Sequence, residues 1–202
     1  MNIRQILAGL LLSVAAVAFA ADVDPGTLVK STAEEVIAIV KQDKDIQSGN
    51  TKKVLDLVQA KVLPHFDFAR MTRLAMGRNW NQASDAQKET LVKEFRALLV
   101  RTYSVSLSQY KNQTIDYKPV AVGAADTEAT VKTAVIQPGG QPIPIDYRMS
   151  KTPEGWKVFD ISVEGVSLVT NYRGEFNSQV ERGGVDGLIK ALTDRNAKSA
   201  AK

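Results

Sequence analysis

The chain has 202 residues and a formal net charge of +4 at pH 7, with 26 lysines and arginines against 22 aspartates and glutamates. It contains no cysteine, which excludes disulfide bonds and thiol chemistry. The basic residues are dispersed rather than gathered in a stripe, which argues against a nucleic-acid-binding protein.

The first twenty residues have the pattern of a secretory signal peptide. Arg4 gives a positive start, an almost unbroken apolar run covers residues 6–17, and residues 18–20 supply the small residues of a cleavage site. This run is shorter than the roughly 20 residues that a membrane-spanning helix needs. We therefore expect a cleaved signal over residues 1–20, a single domain over residues 21–202, and a soluble mature protein in a bacterial periplasm.

The first half of the chain after this signal is predicted to be helical. Asp24-Pro25 is typical of a helix start, because an acidic cap precedes a proline at the first helical position. Apolar residues then recur at helical spacing to about residue 46, where a Ser-Gly-Asn break follows. A second helix begins at Thr51 and is interrupted by Pro64, and a shorter helix covers roughly residues 67–76.

The clearest helix begins after Ser84. Ser84 and Gln87 have the spacing of a capping box, in which the two side chains accept hydrogen bonds from each other's backbone N–H groups. Apolar residues hold one face of this helix to about Gln109, and the opposite face is polar. The spacing therefore predicts one long amphipathic helix.

After Lys111 the apolar pattern changes from helical spacing to alternation, which is typical of strands. The alternation predicts four strands, over residues 113–122, 127–136, 142–149 and 156–163. The turns between them are short and rich in glycine and proline, which predicts an antiparallel meander.

Helical spacing returns after Gly165 and continues to Gly183-Gly184. One more helix is expected over residues 185–194, followed by a frayed tail. The predicted fold class is α+β, with N-terminal helices packed on a four-stranded meander and closing C-terminal helices.

Catalytic and metal-binding patterns are weak. His65 is the single histidine, no nucleophile-elbow pattern accompanies it, and a structural role is the more common fate of such a residue. There is no cysteine and no acidic loop typical of a calcium site. The sequence thus predicts no catalytic residue, no metal and no cofactor.

Two acids, Asp160 in the last predicted strand and Glu164 just after it, could be taken for a catalytic pair. Four residues along a strand span about 13 Å, whereas the carboxyl groups of glycosidases lie roughly 5–9.5 Å apart. A catalytic pair within this strand is implausible, and we expect Asp160 to bond to nearby backbone groups. Strict alternation places Asp160 with Trp156 and Val158, on the face opposite Phe159.

The alternating strands carry apolar faces that point toward the helical layer. Such faces either pack into a solid core or line a ligand cavity, and residue types alone do not separate the two. Two further interpretations stay open: an enzyme on a similar cone-shaped α+β scaffold, a hydrolase or isomerase with Asp160 as its base, and a solidly packed adaptor that binds nothing.

Residues 156–176, WKVFDISVEGVSLVTNYRGEF, resemble the signature of the MlaC family, the soluble periplasmic subunits of the Mla lipid-transport system, also called toluene-tolerance auxiliary proteins. Residues 184–189 are similar to the family segment that follows. Upstream, residues 75–80 resemble a helix-ending motif of the family, and the spacing from Phe95 to Tyr103 resembles its long helix. Order, spacing and length agree over essentially the whole mature chain.

The resemblance implies a carrier of single glycerophospholipids that maintains outer-membrane lipid asymmetry and needs no catalysis. Its apolar cavity lies between sheet and helices, with the headgroup outside. Our own assignment of facing residues then predicts the acyl-chain wall: Phe95, Leu99, Tyr103, Val131, Val135, Ile143, Ile145, Tyr147, Phe159, Ile161, Val163, Val166 and Val169.

The resemblance also implies partners for a monomeric carrier. These are an inner-membrane ABC transporter with a ring-forming substrate-binding component, and an outer-membrane lipoprotein associated with a porin. Among the exposed basic residues, Arg78 and Arg173 are candidates for docking or headgroup contact, and Arg70 and Arg73 are further ones.

Overall fold

The computed structural model describes residues 23–110 and 112–200, so the expected signal peptide lies outside the described residues. The helices of the first half are α1 (Pro25–Gln42), α2 (Lys44–Gln47), α3 (Thr51–Lys61), α4 (Phe68–Met76) and α5 (Asp85–Ser108). Short 3-10 helices over Leu63–His65 and Gly77–Gln82 flank α4. The second half contains β1 (Thr114–Tyr117), β2 (Glu128–Ile136), β3 (Ile143–Thr152), β4 (Gly155–Val163), β5 (Val166–Ser167) and α6 (Leu168–Ala200).

The helix starts follow the capping signals in the sequence. The Asp24 carboxylate accepts a hydrogen bond from the Thr27 N–H at 2.9 Å, and Pro25 is the first residue of α1. At α5 the expected capping box is present: the Ser84 N–H donates to the Gln87 side chain at 2.9 Å, and the Gln87 N–H donates to the Ser84 hydroxyl at 3.2 Å. Each pair satisfies backbone donors that the first turn of a helix leaves unpaired.

The strands form one antiparallel sheet in the order β1-β2-β3-β4-β5. The sequence predicted four strands, and the fifth is the two-residue β5, which pairs with the end of β4. Two residues are too few to produce a recognisable alternation, which is why the pattern missed it. The prediction for β1 was too long, since residues 118–122 lie outside the strand.

A bulge in β4 corrects the predicted facing of this strand. Arg148 pairs with Asp160 and Met149 pairs with Val158, so Phe159 has no partner on β3. One extra residue reverses the alternation, because successive side chains point to opposite faces. Val158 therefore shares a face with Ile161 rather than with Asp160, and the prediction that Phe159 shares that face was wrong.

The buried residues form three clusters. The largest joins α4, α5 and α6 and includes Phe95, Tyr172 and Phe176, whose rings contact one another edge-on or tilted. A second cluster joins the start of α1 to the inner face of the sheet. A third holds α1, α2 and α3 together. Separate clusters of this kind leave space between the layers.

The break expected at Gly183-Gly184 is present within α6, because Gly184 has non-helical angles of φ 66° and ψ −169°. The helical segment after this kink extends to Ala200 rather than ending near residue 194. Asn196 is buried, and its amide donates to the Glu94 carbonyl at 2.9 Å, so this part of the tail is packed rather than frayed. None of the helices in the described ranges is long and apolar enough to cross a membrane.

Candidate functional site

An apolar cavity of about 390 Å³ lies between the helices and the inner face of the sheet. Its helical wall comes from α1, α3, α4, α5 and the first residue of α6, and its other wall comes from β1, β3 and β4. The volume lies within the range of about 300–1,000 Å³ that is typical of small-molecule sites. The arrangement leaves an apolar space in a protein interior that would otherwise pack solidly.

The polar side chains in the wall are few: Thr32, His65, Tyr103, Ser104 and Tyr147. Burial raises the pKa of Tyr147, so its hydroxyl stays neutral across the physiological range. The wall contains no aspartate, glutamate, lysine or arginine. It therefore suits a hydrocarbon chain and disfavours a charged group.

Tyr103 indicates where the cavity reaches solvent. This residue lines the cavity and is also 42% exposed, so the cavity opens beside its ring. Met149 and Val158 line the same space and are fully buried, so they belong to its closed part. An elongated ligand can thus keep one end in the interior and the other in water.

His65 lies in the wall next to Lys157, whose ammonium group donates to the Pro64 carbonyl at 2.6 Å. Burial is the main cause that lowers the pKa of His65, the charge of Lys157 lowers it further, and Glu35 opposes the shift. The imidazole is therefore neutral at pH 7. No aspartate or glutamate lines the wall with it, and its structural role stays a prediction.

Of the thirteen residues that we expected in the wall, six line the cavity: Leu99, Tyr103, Ile145, Tyr147, Ile161 and Val163. They come from α5, β3 and the part of β4 beyond the bulge. The other seven do not line it. They fall into three groups, each displaced for a different physical reason.

Phe95, Phe159 and Val169 belong to the helical core. Phe159 is turned there by the bulge, and the guanidinium groups of Arg70 and Arg148 lie 3.6 and 4.8 Å from its ring centroid. These three side chains therefore pack in the core with α4, α5 and α6 rather than in the cavity wall.

Val131, Val135 and Ile143 lie on the sheet, outside the cavity wall. Val131 is 1% exposed and packs against α1 and the neighbouring strands, while Val135 and Ile143 pair with each other at the end of the β2–β3 ladder. Val166 stands apart because it is 60% exposed, since β5 is a short edge strand.

The sequence analysis missed the contribution of α1 and α3. Leu28, Val29 and Val36 of α1 and Val58 of α3 line the cavity. The signal was present, because these residues formed the apolar stripes on which the two helices were predicted. Stripe residues that pack on a neighbouring helix and stripe residues that face a cavity have the same composition, so the pattern did not separate them.

The candidate arginines lie away from the wall. The Arg173 side chain donates to the Leu74 carbonyl at 3.0 Å, and Arg70 forms an ion pair with Glu128. Arg73 and Arg78 are exposed. None of the four lines the cavity, and their role in docking or headgroup contact stays a prediction.

Asp160 also lies outside the cavity. Its carboxylate accepts hydrogen bonds from the Ser167 hydroxyl at 2.6 Å and from the Val169 N–H at 3.2 Å, at the start of α6. The nearest Arg148 nitrogen is 3.7 Å away. Asp160 thus anchors the N-terminus of α6, where negative charge is stabilising. In the described ranges, no cluster of three or more histidines and acids could hold a metal ion.

A sheet and a helical layer that enclose such a space define a class of α+β proteins with an internal hydrophobic cavity. Within this class, the chain belongs to the MlaC family: the family described as MlaC protein matches residues 30–194.

Relatives with printed names agree with this assignment. The chain is 25% identical to the toluene tolerance protein ttg2D of Pseudomonas putida, over 80% of this chain and 75% of that one. It is 23% identical to the intermembrane phospholipid transport system binding protein MlaC of Haemophilus influenzae, over 85% and 82% of the two chains.

A solved structure is also similar. The phospholipid-binding protein from Ralstonia solanacearum, determined in complex with a phospholipid, is 41% identical. The match covers 88% of this chain and 99% of that one, with a TM-score of 0.81.

Proposed function

We propose that the protein is a periplasmic carrier that holds a glycerophospholipid by its acyl chains. The observation that carries this proposal is the apolar cavity, 390 Å³ in volume and without a charged side chain in its wall. The similarity to a protein solved with a phospholipid supports it. The family membership supports it as well.

Elementary energetics favour this cargo. Each CH₂ group removed from water contributes about 0.8 kcal/mol to the free energy of binding, so two acyl chains strongly favour the apolar cavity over water. Inside the cavity, a phosphate headgroup would lose its hydration and find no positively charged side chain to pair with. The headgroup therefore stays at the opening beside Tyr103. Binding and release suffice for such a carrier, and it needs neither a catalytic residue nor a cofactor.

The transport route is part of the proposal. The carrier exchanges its lipid with an inner-membrane ABC transporter complex and with an outer-membrane lipoprotein–porin complex. The printed name of the Haemophilus relative, a phospholipid transport system binding protein, supports a multi-component system. Export by a cleaved signal over residues 1–20 and a single lipid-binding domain over residues 21–202 belong to this proposal.

Uptake of a labelled lipid tests the binding function. Purified protein is stripped of lipid, incubated with vesicles containing fluorescent phosphatidylethanolamine, and separated from them by sedimentation. We expect the label to move into the protein fraction and to saturate at a fixed ratio to protein. Protein that stays folded and acquires no label would contradict the carrier function. Release of free fatty acid would instead support the hydrolase interpretation.

A further inference from the structure

A second concave region, a groove of about 760 Å³, lies outside the lipid cavity. It runs between α3, the 3-10 helix over Gly77–Gln82 and the exposed side of α5. On α5, its lining residues lie between Lys88 and Arg101. This stretch of helix is about 20 Å long at 1.5 Å per residue. Leu63 and Val100 line both the groove and the cavity, so they form the partition between the two spaces.

The floor of the groove is apolar. Leu55, Trp80, Val92, Ala97 and Val100 contribute to it, and all five are only half-buried. A row of half-buried apolar side chains along an uncovered helix is typical of a surface that another element covers. Because the groove is lined along α5 from Lys88 to Arg101, its shape suits an elongated occupant.

The rim of the groove is basic. Its charged residues are Lys88, Lys93, Arg96 and Arg101 against the single acid Glu89. Lys93 forms no ion pair with another residue in the described ranges. Arg96 is exposed and its guanidinium lies 5.5 Å from the Phe68 ring centroid, an arrangement that leaves its donors available. Lys88 is already paired with Asp85, and Arg101 donates a hydrogen bond to the Asn196 carbonyl, so Lys93 and Arg96 are the cations that favour an acidic partner.

We propose that this groove docks an acidic amphipathic helix of a partner protein. The length suits about four helical turns, the floor accepts an apolar stripe, and the basic rim pairs with acids that flank that stripe. A flat anionic membrane fits less well, because it would meet the basic rim without reaching the recessed floor. The proposal does not depend on the cargo of the cavity, so it stands or falls separately from the carrier function.

Fluorescence anisotropy with designed helical peptides tests the docking site. Three labelled peptides of about four turns carry leucines at i, i+3, i+4 and i+7, with glutamates at different flanking positions. We expect saturable binding that weakens as salt increases. Lys93→Glu should weaken the binding about tenfold, the change that 1.4 kcal/mol produces. Lys132→Glu is the matched control, because Lys132 lies exposed on β2, outside the groove, and the change in net charge is identical.

A charge-swapped peptide completes the test. With lysines in place of the glutamates, the peptide should bind Lys93→Glu better than it binds the unaltered protein. No binding by any acidic peptide up to about 1 mM would overturn the proposal. Equal losses in Lys93→Glu and Lys132→Glu would overturn it as well. Sedimentation with vesicles of phosphatidylglycerol and phosphatidylcholine covers the rival occupant: binding to vesicles that Lys93→Glu abolishes, without peptide binding, would assign the groove to membranes.

Discussion

Val163 and Val166 face each other across the β4–β5 hairpin, but their surroundings differ. Val163 lines the cavity, whereas Val166 is 60% exposed. We predict that Val163→Asp lowers the amount of bound phospholipid about tenfold or more, because a carboxylate in the apolar wall has no partner charge. Val166→Asp, the matched control, should load normally. Phosphate analysis of the purified variants measures both, and equal loading would place Val163 outside the binding wall.

His65 predicts a pH dependence of stability. Its pKa in the folded protein is lowered, mainly by burial, from an ordinary value of 6.5. Between its folded-state pKa and about pH 6.5, the unfolded chain therefore binds more protons than the folded one. The stabilisation is fully present above that pH and is lost as the pH falls from 6.5 toward the folded-state pKa. Urea unfolding should show a steeper loss of unfolding free energy in this window than His65→Gln shows. Parallel pH profiles would mean that His65 does not contribute.

Asp160 is expected to act on stability rather than on lipid binding. Asp160→Asn keeps the shape but loses the charge and one acceptor, so the Ser167 hydroxyl and the Val169 N–H are no longer both well paired. We predict a loss of about 1–2 kcal/mol in unfolding free energy, with normal lipid uptake. Asp146→Asn on the neighbouring strand is the control and should change little. An unchanged stability together with loss of a lipid-hydrolysing activity would favour the enzyme interpretation instead.

At the scale of elements, the sequence predicted structure best where a local signal fixed it. The capping box at Ser84 and the proline after Asp24 define helix starts through bonds within a few residues, and both are observed. The β4 bulge at Phe159 could not be predicted, because it depends on distant partners. The Val158 carbonyl there accepts from the Asp67 N–H at 2.9 Å, a contact between segments far apart in sequence.

The bulge also accounts for one difference between the predicted wall and the residues that line the cavity. Beyond it, Ile161 and Val163 line the cavity as the alternation required. At the bulge itself the alternation fails, so Val158 lines the cavity where the alternation predicted Phe159. On β2, Val131 and Val135 have the expected facing but lie against α1 or near the strand end, and facing alone does not measure distance from a cavity.

The kink in α6 supplies a test at the level of a single element. Gly184 has φ 66° and ψ −169°, a conformation that only glycine adopts readily. Gly184→Ala should lower the unfolding free energy by about 1–3 kcal/mol. Gly183→Ala is the control: neither position has an atom within 4 Å of an added Cβ, and Gly183 has no positive φ. Its effect should be neutral or stabilising by up to about 1 kcal/mol. Equal effects in urea unfolding would contradict the kinked geometry.

At the scale of the whole molecule, the α+β class and the order of helices and strands followed from the periodicity of the sequence. The choice between a packed core and a cavity did not, because both use the same apolar residues. What separates them is the arrangement of three buried clusters around a space that no side chain fills. That arrangement depends on contacts between distant elements, which a single sequence does not display.

We propose that this space holds a phospholipid in the cell. Native mass spectrometry of the protein purified without detergent tests it most directly. We predict a main species heavier than the polypeptide by the mass of a phospholipid, which collisional activation releases and lipid extraction identifies. In the same measurement Val163→Asp should appear mainly as the bare polypeptide. A folded, unaltered protein that carries no lipid, and that stays bare after incubation with phospholipid vesicles, would contradict the account.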